Sequence, residues 1–182
     1  MADSQAYDYI CYFTGGNTPT QGAIEIRGES QDSALSGNNA FELSEFNVKG
    51  ENSTAIGSST TGAGGAGKCK FERLTMKKLT DAATCSLYKA MILGAHFEEV
   101  VLELRRSGAT FMRFKFKMCI IAEMETTASG DDESEDSFVV DWGAINVEYF
   151  AQDASGDIAA GPTDEIPFSR VTNASEYEVT SL

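Results

Sequence analysis

The chain has little of what most function classes require. No apolar run approaches the roughly 20 residues of a membrane helix, and the opening MADSQAYDYICYF has neither the basic stretch nor the apolar core of a secretory signal. No direct membrane insertion is expected. The expected location is cytoplasmic, with any export proceeding without a cleaved signal peptide. There is one histidine, His96, and no nucleophile in a recognisable elbow, so no catalytic triad can be assigned. The four cysteines, Cys11, Cys69, Cys85 and Cys119, show no C-x-x-C spacing. That pattern suits buried reduced thiols better than a disulfide frame or a zinc site. Basic residues are scarce: 14 Lys and Arg face 28 Asp and Glu, for a net charge of −14. A surface of that sign repels phosphate, which argues against nucleic acid as a partner.

What remains is a folded protein. Its 182 residues, 42% hydrophobic and 10% aromatic, suffice for one domain with a sizeable core. No internal repeat is present. The charge is unevenly placed: 11 of the 14 basic residues lie between Lys68 and Lys117 with only five acids, whereas Met118–Leu182 holds 15 acids and Arg170. Basic strands paired with acidic neighbours inside one sheet would account for this. So would a molecule that docks head-to-tail on copies of itself.

Period-two patterning dominates. Tyr7–Phe13 is apolar on nearly both faces, and Ile24 and Ile26 flank Glu25 in a second expected strand. Phe114, Phe116, Met118 and Ile120 oppose Arg113, Lys115 and Lys117, which predicts a one-sided strand with a basic outer face. Parity switches between Phe41/Leu43 and Phe46/Val48, and again between Phe138/Val140/Trp142 and Ile145/Val147/Tyr149, with Gly143 at the join. A parity change marks an extra residue, a bulge that bends the strand and helps a sheet close. One helix is marked by Thr80 or Asp81 as cap, by Ala83, Leu87, Ala90 and Met91 on one face, and by Gly94 as stop. The expected fold is mainly β: a compact β-barrel of two packed antiparallel sheets with one short α-helix and a long extended loop, Glu51–Lys68. The polar tail after Tyr149 is expected to hug the surface.

Three near-motifs carry no chemistry. Gly62–Cys69 (GAGGAGKC) approximates a phosphate loop, but Cys69 replaces the hydroxyl residue, and the following KFERLTMKKL alternates like a strand instead of opening a helix. Asp131–Asp136 lacks the ligand spacing and turn glycine of a calcium loop and reads as a solvated hairpin tip. His96, just past the helix, reads as a packing or hydrogen-bonding residue. No catalytic, metal or cofactor-binding residue is assigned, and no enzyme activity is expected.

The order of several segments is nevertheless specific. Ile26-Arg27-Gly28-Glu29-Ser30 with Asp32 is followed by Phe41-Glu42-Leu43 and Phe46, then by the glycine-rich loop. Phe71, Leu74-Thr75, Lys77-Lys78 and Asp81 lead into a helix with Ser86-Leu87, Ala90 and Gly94. The series ends with Ile145-Asn146-Val147-Glu148-Tyr149 and Gln152-Asp153-Ala154-Ser155-Gly156. This arrangement resembles the haemolysin-coregulated protein (Hcp) family, the tube subunit of type VI secretion systems. The acidic insertion Gly130–Asp136 and the long tail depart from its pattern.

The resemblance implies a single barrel domain over residues 1–182, with a core near 7–157 and a C-terminal extension over 158–182. It implies homo-hexameric rings that stack into a tube, with sheath and spike components and small effector proteins as partners. Strands apolar on both faces would then be covered by neighbouring copies. The loop residues Ser58, Ser59, Thr60, Thr61, Gly62, Gly64, Gly65 and Lys68 are the expected contacts to the next subunit or ring. Two other functions fit the same pattern: a tail-tube protein of a related contractile injection particle, and a monomeric small-ligand-binding β-barrel with a buried apolar pocket. A nucleotide hydrolase using Lys68 is the enzyme alternative.

Overall fold

A computed structural model describes residues 7–32, 35–52 and 69–179. Among them run the strands β1 (Tyr7–Thr14), β2 (Asn17–Thr18), β3 (Gly22–Ala23), β4 (Phe41–Glu42), β5 (Glu45–Asn47), β6 (Gly50–Asn52), β7 (Cys69–Phe71) and β8 (Leu74–Leu79). They continue with β9 (His96–Arg106), β10 (Ala109–Thr127), β11 (Glu135–Asp141), β12 (Ala144–Tyr149) and β13 (Asp164–Ser169), and the helix α1 (Ala82–Ile92) joins β8 to β9. Eleven strands form one antiparallel sheet, and β6 and β7 form a separate two-stranded ribbon.

The frame is the hairpin β9–β10. Ser107 (φ 50°) and Gly108 (φ 80°) turn it, both in the left-handed region that a tight two-residue hairpin needs. β1 pairs with the other edge of β9 along its whole length, from Tyr7↔Arg106 to Thr14↔Glu99. β10 is long enough to serve two partners. Its first half pairs with β12 (Met112↔Tyr149 to Lys117↔Ala144), and its second half pairs with β11, starting at Ile120↔Asp141. The handover falls where Trp142 and Gly143 separate β11 from β12. Opposite them Met118 adopts φ 55°, and the Gly143 amide donates to the Lys117 carbonyl at 2.8 Å.

Closure occurs at Phe41–Asn47. Phe41 and Glu42 pair with β1, and Glu45–Asn47 then pairs with β8. Between them the Leu43 amide donates to the Tyr9 carbonyl (2.8 Å) and the Ser44 amide to the Lys77 carbonyl (2.9 Å). The parity switch read from Phe41/Leu43 and Phe46/Val48 is thus one chain leaving one wall of the barrel for the other. Phe13, Phe41, Phe97, Phe116 and Phe138 are buried inside, linked by ring contacts such as Phe13–Phe97 at 4.9 Å.

Three expectations need correction. In β10 the buried parity runs Phe116, then Cys119 and Ile121, because Met118 in its left-handed conformation flips the register of faces; Met118 itself is exposed. Ile24 and Ile26 are buried and Glu25 is exposed as alternation demands, yet they lie outside any strand, and β3 stops at Ala23. The two-faced apolarity of β1 is covered within the subunit from Tyr9 onward, and Tyr7 alone of its apolar residues stays exposed. Cys11 and Phe13 join the main core, while Ile10 and Tyr12 pack with Leu35 and Ala40 in a small second one.

The helix follows its sequence signals. The Asp81 carboxylate accepts from the Ala83 amide (2.7 Å) and the Thr84 hydroxyl accepts from the Asp81 amide (3.2 Å), a reciprocal cap. Ala83, Leu87 and Ala90 enter the core, and Gly94 (φ 61°) ends the helix. The cap is tied to the barrel by Lys78, fully buried on β8, whose ammonium meets Asp81 (2.7 Å) and Asp136 (3.1 Å). Asp136 corrects the acidic-tip reading: Asp131, Asp132 and Glu133 are exposed, but Asp136 is fully buried on β11 and accepts from Thr84 and Thr126.

Candidate assembly surfaces

The long loop singled out from the sequence, with Ser58, Ser59, Thr60, Thr61, Gly62, Gly64, Gly65 and Lys68, lies outside the described residues. Its base is described. β6 and β7 pair Gly50↔Phe71, Glu51↔Lys70 and Asn52↔Cys69. Phe71 roots the ribbon against Trp142 (5.6 Å) and Phe168 (5.2 Å), and the absent side chain of Gly50 leaves room for its ring. Lys49 clamps the ribbon's foot by pairing with Glu51 (2.8 Å) and Glu72 (2.7 Å); these contacts hold the Glu51 carboxyl below its ordinary range.

A second surface is apolar. Directly paired residues share a face, so Phe116, Ile145 and Phe168 lie together, followed along the strands by Phe114, Val147 and Ile166, then by Met112 and Tyr149. Burial decreases along this series. Phe116 and Ile145 are buried, Phe114, Met112 and Val147 half-buried, Tyr149 49% exposed and Ile166 63% exposed. The core face of β10, β12 and β13 therefore runs out past the subunit's own core. Tyr7, 53% exposed, borders it through an edge contact with Phe111 at 5.9 Å.

The opposite face of these strands is charged. Glu103 accepts from Thr110 (2.6 Å) and Arg113 (3.1 Å), and the Tyr12 hydroxyl points to it. Burial and then the Glu103 carboxylate push that hydroxyl up to about 12. Glu148 pairs with Arg113 (3.2 Å) and with Lys115, and Arg105 pairs with Asp32. Arg73 reaches Glu123 (3.1 Å) and Lys77 reaches Glu45 (3.0 Å). Seven basic residues of the middle segment, Arg73, Lys77, Lys78, Arg105, Arg113, Lys115 and Lys117, thus pair with acids from outside it within one subunit. The tail takes part: Tyr177 lies under the Lys115 and Lys117 ammonium groups, and Glu178 pairs with Lys117 at 2.6 Å.

The family description "Type VI secretion system effector, Hcp" matches residues 15–149. The chain belongs to the Hcp family. It is a subunit of the type VI secretion tube. A solved structure described as a type six secretion system protein superposes with a TM-score of 0.79 at 21% identity, over 94% of this chain and all of the other. Hcp1 from Salmonella typhimurium gives 0.64 at 19% identity, over 90% and 95% of the two chains. Hcp3 from Pseudomonas aeruginosa gives 0.53 at 15%, over 85% and 96%. At these identities the likeness is one of fold. No curated protein sequence matches the chain.

Within the Hcp fold the remaining sequence candidates fall as follows. His96 is exposed on the first residue of β9, so of the packing or hydrogen-bonding role expected of it the packing half does not hold. Cys11 and Cys119 are buried and free, and burial raises both thiols well above their ordinary range. Cys85 is exposed on the helix and Cys69 half-buried, against the buried-thiol expectation. Cys69 starts a strand, so no helix N-terminus follows the glycine-rich segment, and the nearest helix begins at Ala82. Sequence reading missed the Tyr149–Ile166 face. Tyr149 carried a parity signal, but Ile166 sits in a segment (DEIPFS) too polar to register as a strand.

Proposed function

We propose that six copies of this chain close side by side into an open ring, that rings stack into the inner tube of a type VI secretion apparatus, and that the lumen carries small effector proteins. Sheath and spike components are the further partners of the tube. The carrying observation is the apolar face of Met112, Phe114, Val147, Tyr149 and Ile166, which leaves large side chains in water on an acidic subunit. Contiguous apolar surface of this kind marks an interaction site, and a symmetric ring covers it repeatedly with one contact. The interior supports a structural part over ligand carriage, because five phenylalanine rings fill it. The loop Glu51–Lys68 extends the same reading: rooted on Phe71, it reaches to the adjoining subunit or ring.

Negative-stain electron microscopy of the purified protein tests this. Six-fold rings, alone or stacked, are the expected result. Ile166→Glu should shift the population to folded monomers, since a buried interface anchor contributes on the order of 2 kcal/mol or more. Only small single particles from the unsubstituted protein, across a range of concentrations, would defeat the ring.

A further inference from the structure

After β13 the chain turns back and crosses the charged face of β10 toward β9. The backbone contacts of this return are short: the Ser169 amide donates to the Ala174 carbonyl (2.9 Å) and the Glu176 amide to the same carbonyl (3.0 Å). Beyond Glu176 the contacts are made by side chains. The Tyr177 hydroxyl donates to Glu99 Oε1 at 2.5 Å, its ring lies 4.5 Å from Lys117 Nζ and 5.4 Å from Lys115 Nζ, and Glu178 pairs with Lys117. Val179 then lines a groove with Gly15, Phe97, Glu98, Lys117 and Met118.

The receiving site is complete without the tail. Lys115 is held by Glu148, and Glu99 and Lys117 stand across the β9–β10 ladder in directly paired register. It offers an acceptor for a phenol hydroxyl, two ammonium groups for the ring face, and one of them for a following carboxylate. That is a recognition site for a Tyr-Glu segment within an acidic peptide, combining cation–π and charge-assisted contacts. The side-chain carboxylate partner of Lys117 among the described residues is Glu178 itself. Occupant and site therefore match in charge, and the occupant is held by side chains with no ladder of backbone hydrogen bonds.

We propose that this site is filled between subunits as well as within one: the Glu176–Val179 segment of one copy docks on Glu99, Lys115 and Lys117 of the adjoining copy, linking ring subunits by tail exchange. The proposal rests on the assembly reading above. Exchange of an identical segment replaces each contact by the same contact, so it costs little, and it adds a link to every interface. Assembly makes exchange competitive with self-docking, because a neighbour held in a ring presents its tail at about millimolar effective concentration where a free copy does not.

The test uses full-length protein in which Cys69 and Cys85 are replaced by serine. A copy carrying Lys117→Cys is mixed with a copy carrying Glu178→Cys and oxidised with copper–phenanthroline. The control pair is Lys89→Cys, on the exposed helix surface, with Glu178→Cys. At about 10 µM total protein the 117–178 interchain disulfide, identified by peptide mass spectrometry, should exceed the control on the order of 100-fold. A chain carrying both Lys117→Cys and Glu178→Cys reports closure within one copy. Interchain product no greater than the control, with only internal closure in the doubly substituted chain, overturns the proposal. Mass photometry of the same samples reports ring formation separately. Rings without the interchain bond reject exchange alone, and absence of rings rejects the assembly reading.

Discussion

Lys78 and Asp136 meet at 3.1 Å with neither side chain exposed to water, and together they join β8, β11 and the N-terminus of the helix. A buried ion pair contributes little relative to an apolar pair of the same shape, but losing one partner strands the other charge. Asp136→Ala should therefore cost about 3–5 kcal/mol in urea unfolding. The double substitution Lys78→Met with Asp136→Leu should recover most of that loss. A single variant as stable as the parent would show that Lys78 finds another acid, with Asp81 at 2.7 Å the nearest.

Acid should destabilise the subunit through two aspartates. Burial raises the Asp136 carboxyl, but hydrogen bonds from Thr126, Thr84 and Lys78 and the Lys78 charge outweigh it and leave the group below its ordinary value. Asp141 is likewise lowered on balance, with burial opposed by the hydrogen bond and charge of Arg170. A depressed folded value means the unfolded chain binds the proton more readily. The stabilisation is present above the unfolded value, about 3.9, and is lost as pH falls through the folded one. Thermal melts from pH 7 to pH 2 should fall steeply only below about pH 4. Asp141→Asn should flatten that fall.

Gly28 sits where no side chain fits. A Cβ there would lie 2.1 Å from the Ala40 carbonyl oxygen and 2.4 Å from its carbon, both backbone atoms that cannot turn aside. Gly28→Ala should lower stability by about 2 kcal/mol or more and loosen the Leu35–Ala40 packing on β1. Hydrogen exchange of the Ser30 amide, which donates to the Ala40 carbonyl at 2.9 Å, reads that loosening.

Met118 holds a left-handed backbone conformation with its side chain exposed, a state that costs a non-glycine residue about 1 kcal/mol. Met118→Gly should raise the unfolding free energy or leave it unchanged. A large loss would mean that the Met118 side chain, whose Cβ and sulfur crowd the open side of Gly143, stabilises the kink.

Thiol labelling should separate the cysteines by burial. Cys85 should react with a disulfide reagent within minutes in the native state. Cys11 and Cys119, buried and with raised thiols, should react only at the rate of unfolding.

Period two was legible wherever one face of a strand met the core, which is why β1, β8, β12 and the helix stand where the residues put them. The bend at Gly143 was legible for the same reason, since a change of parity cannot be absorbed by a straight strand. The second half of β10 misled because Met118 and Ile120 are apolar at the expected spacing. Only the left-handed conformation of Met118, where β10 passes from β12 to β11, put Cys119 and Ile121 inside instead. The acidic run misled because composition does not distinguish a solvated Asp131 from an Asp136 that receives a lysine from a strand 58 residues away.

The sequence by itself determined a mainly β subunit with one capped helix, the parity changes after Leu43 and at Gly143, and the family, because these depend on local spacing and on the order of short motifs. Tertiary structure alone decided how the charges are paired, that β1's second face is covered by Leu35 and Ala40, and that an apolar face at Tyr149 and Ile166 is left over. Those outcomes depend on which distant strands become neighbours, and side-chain alternation along one strand carries no information about the strand beside it.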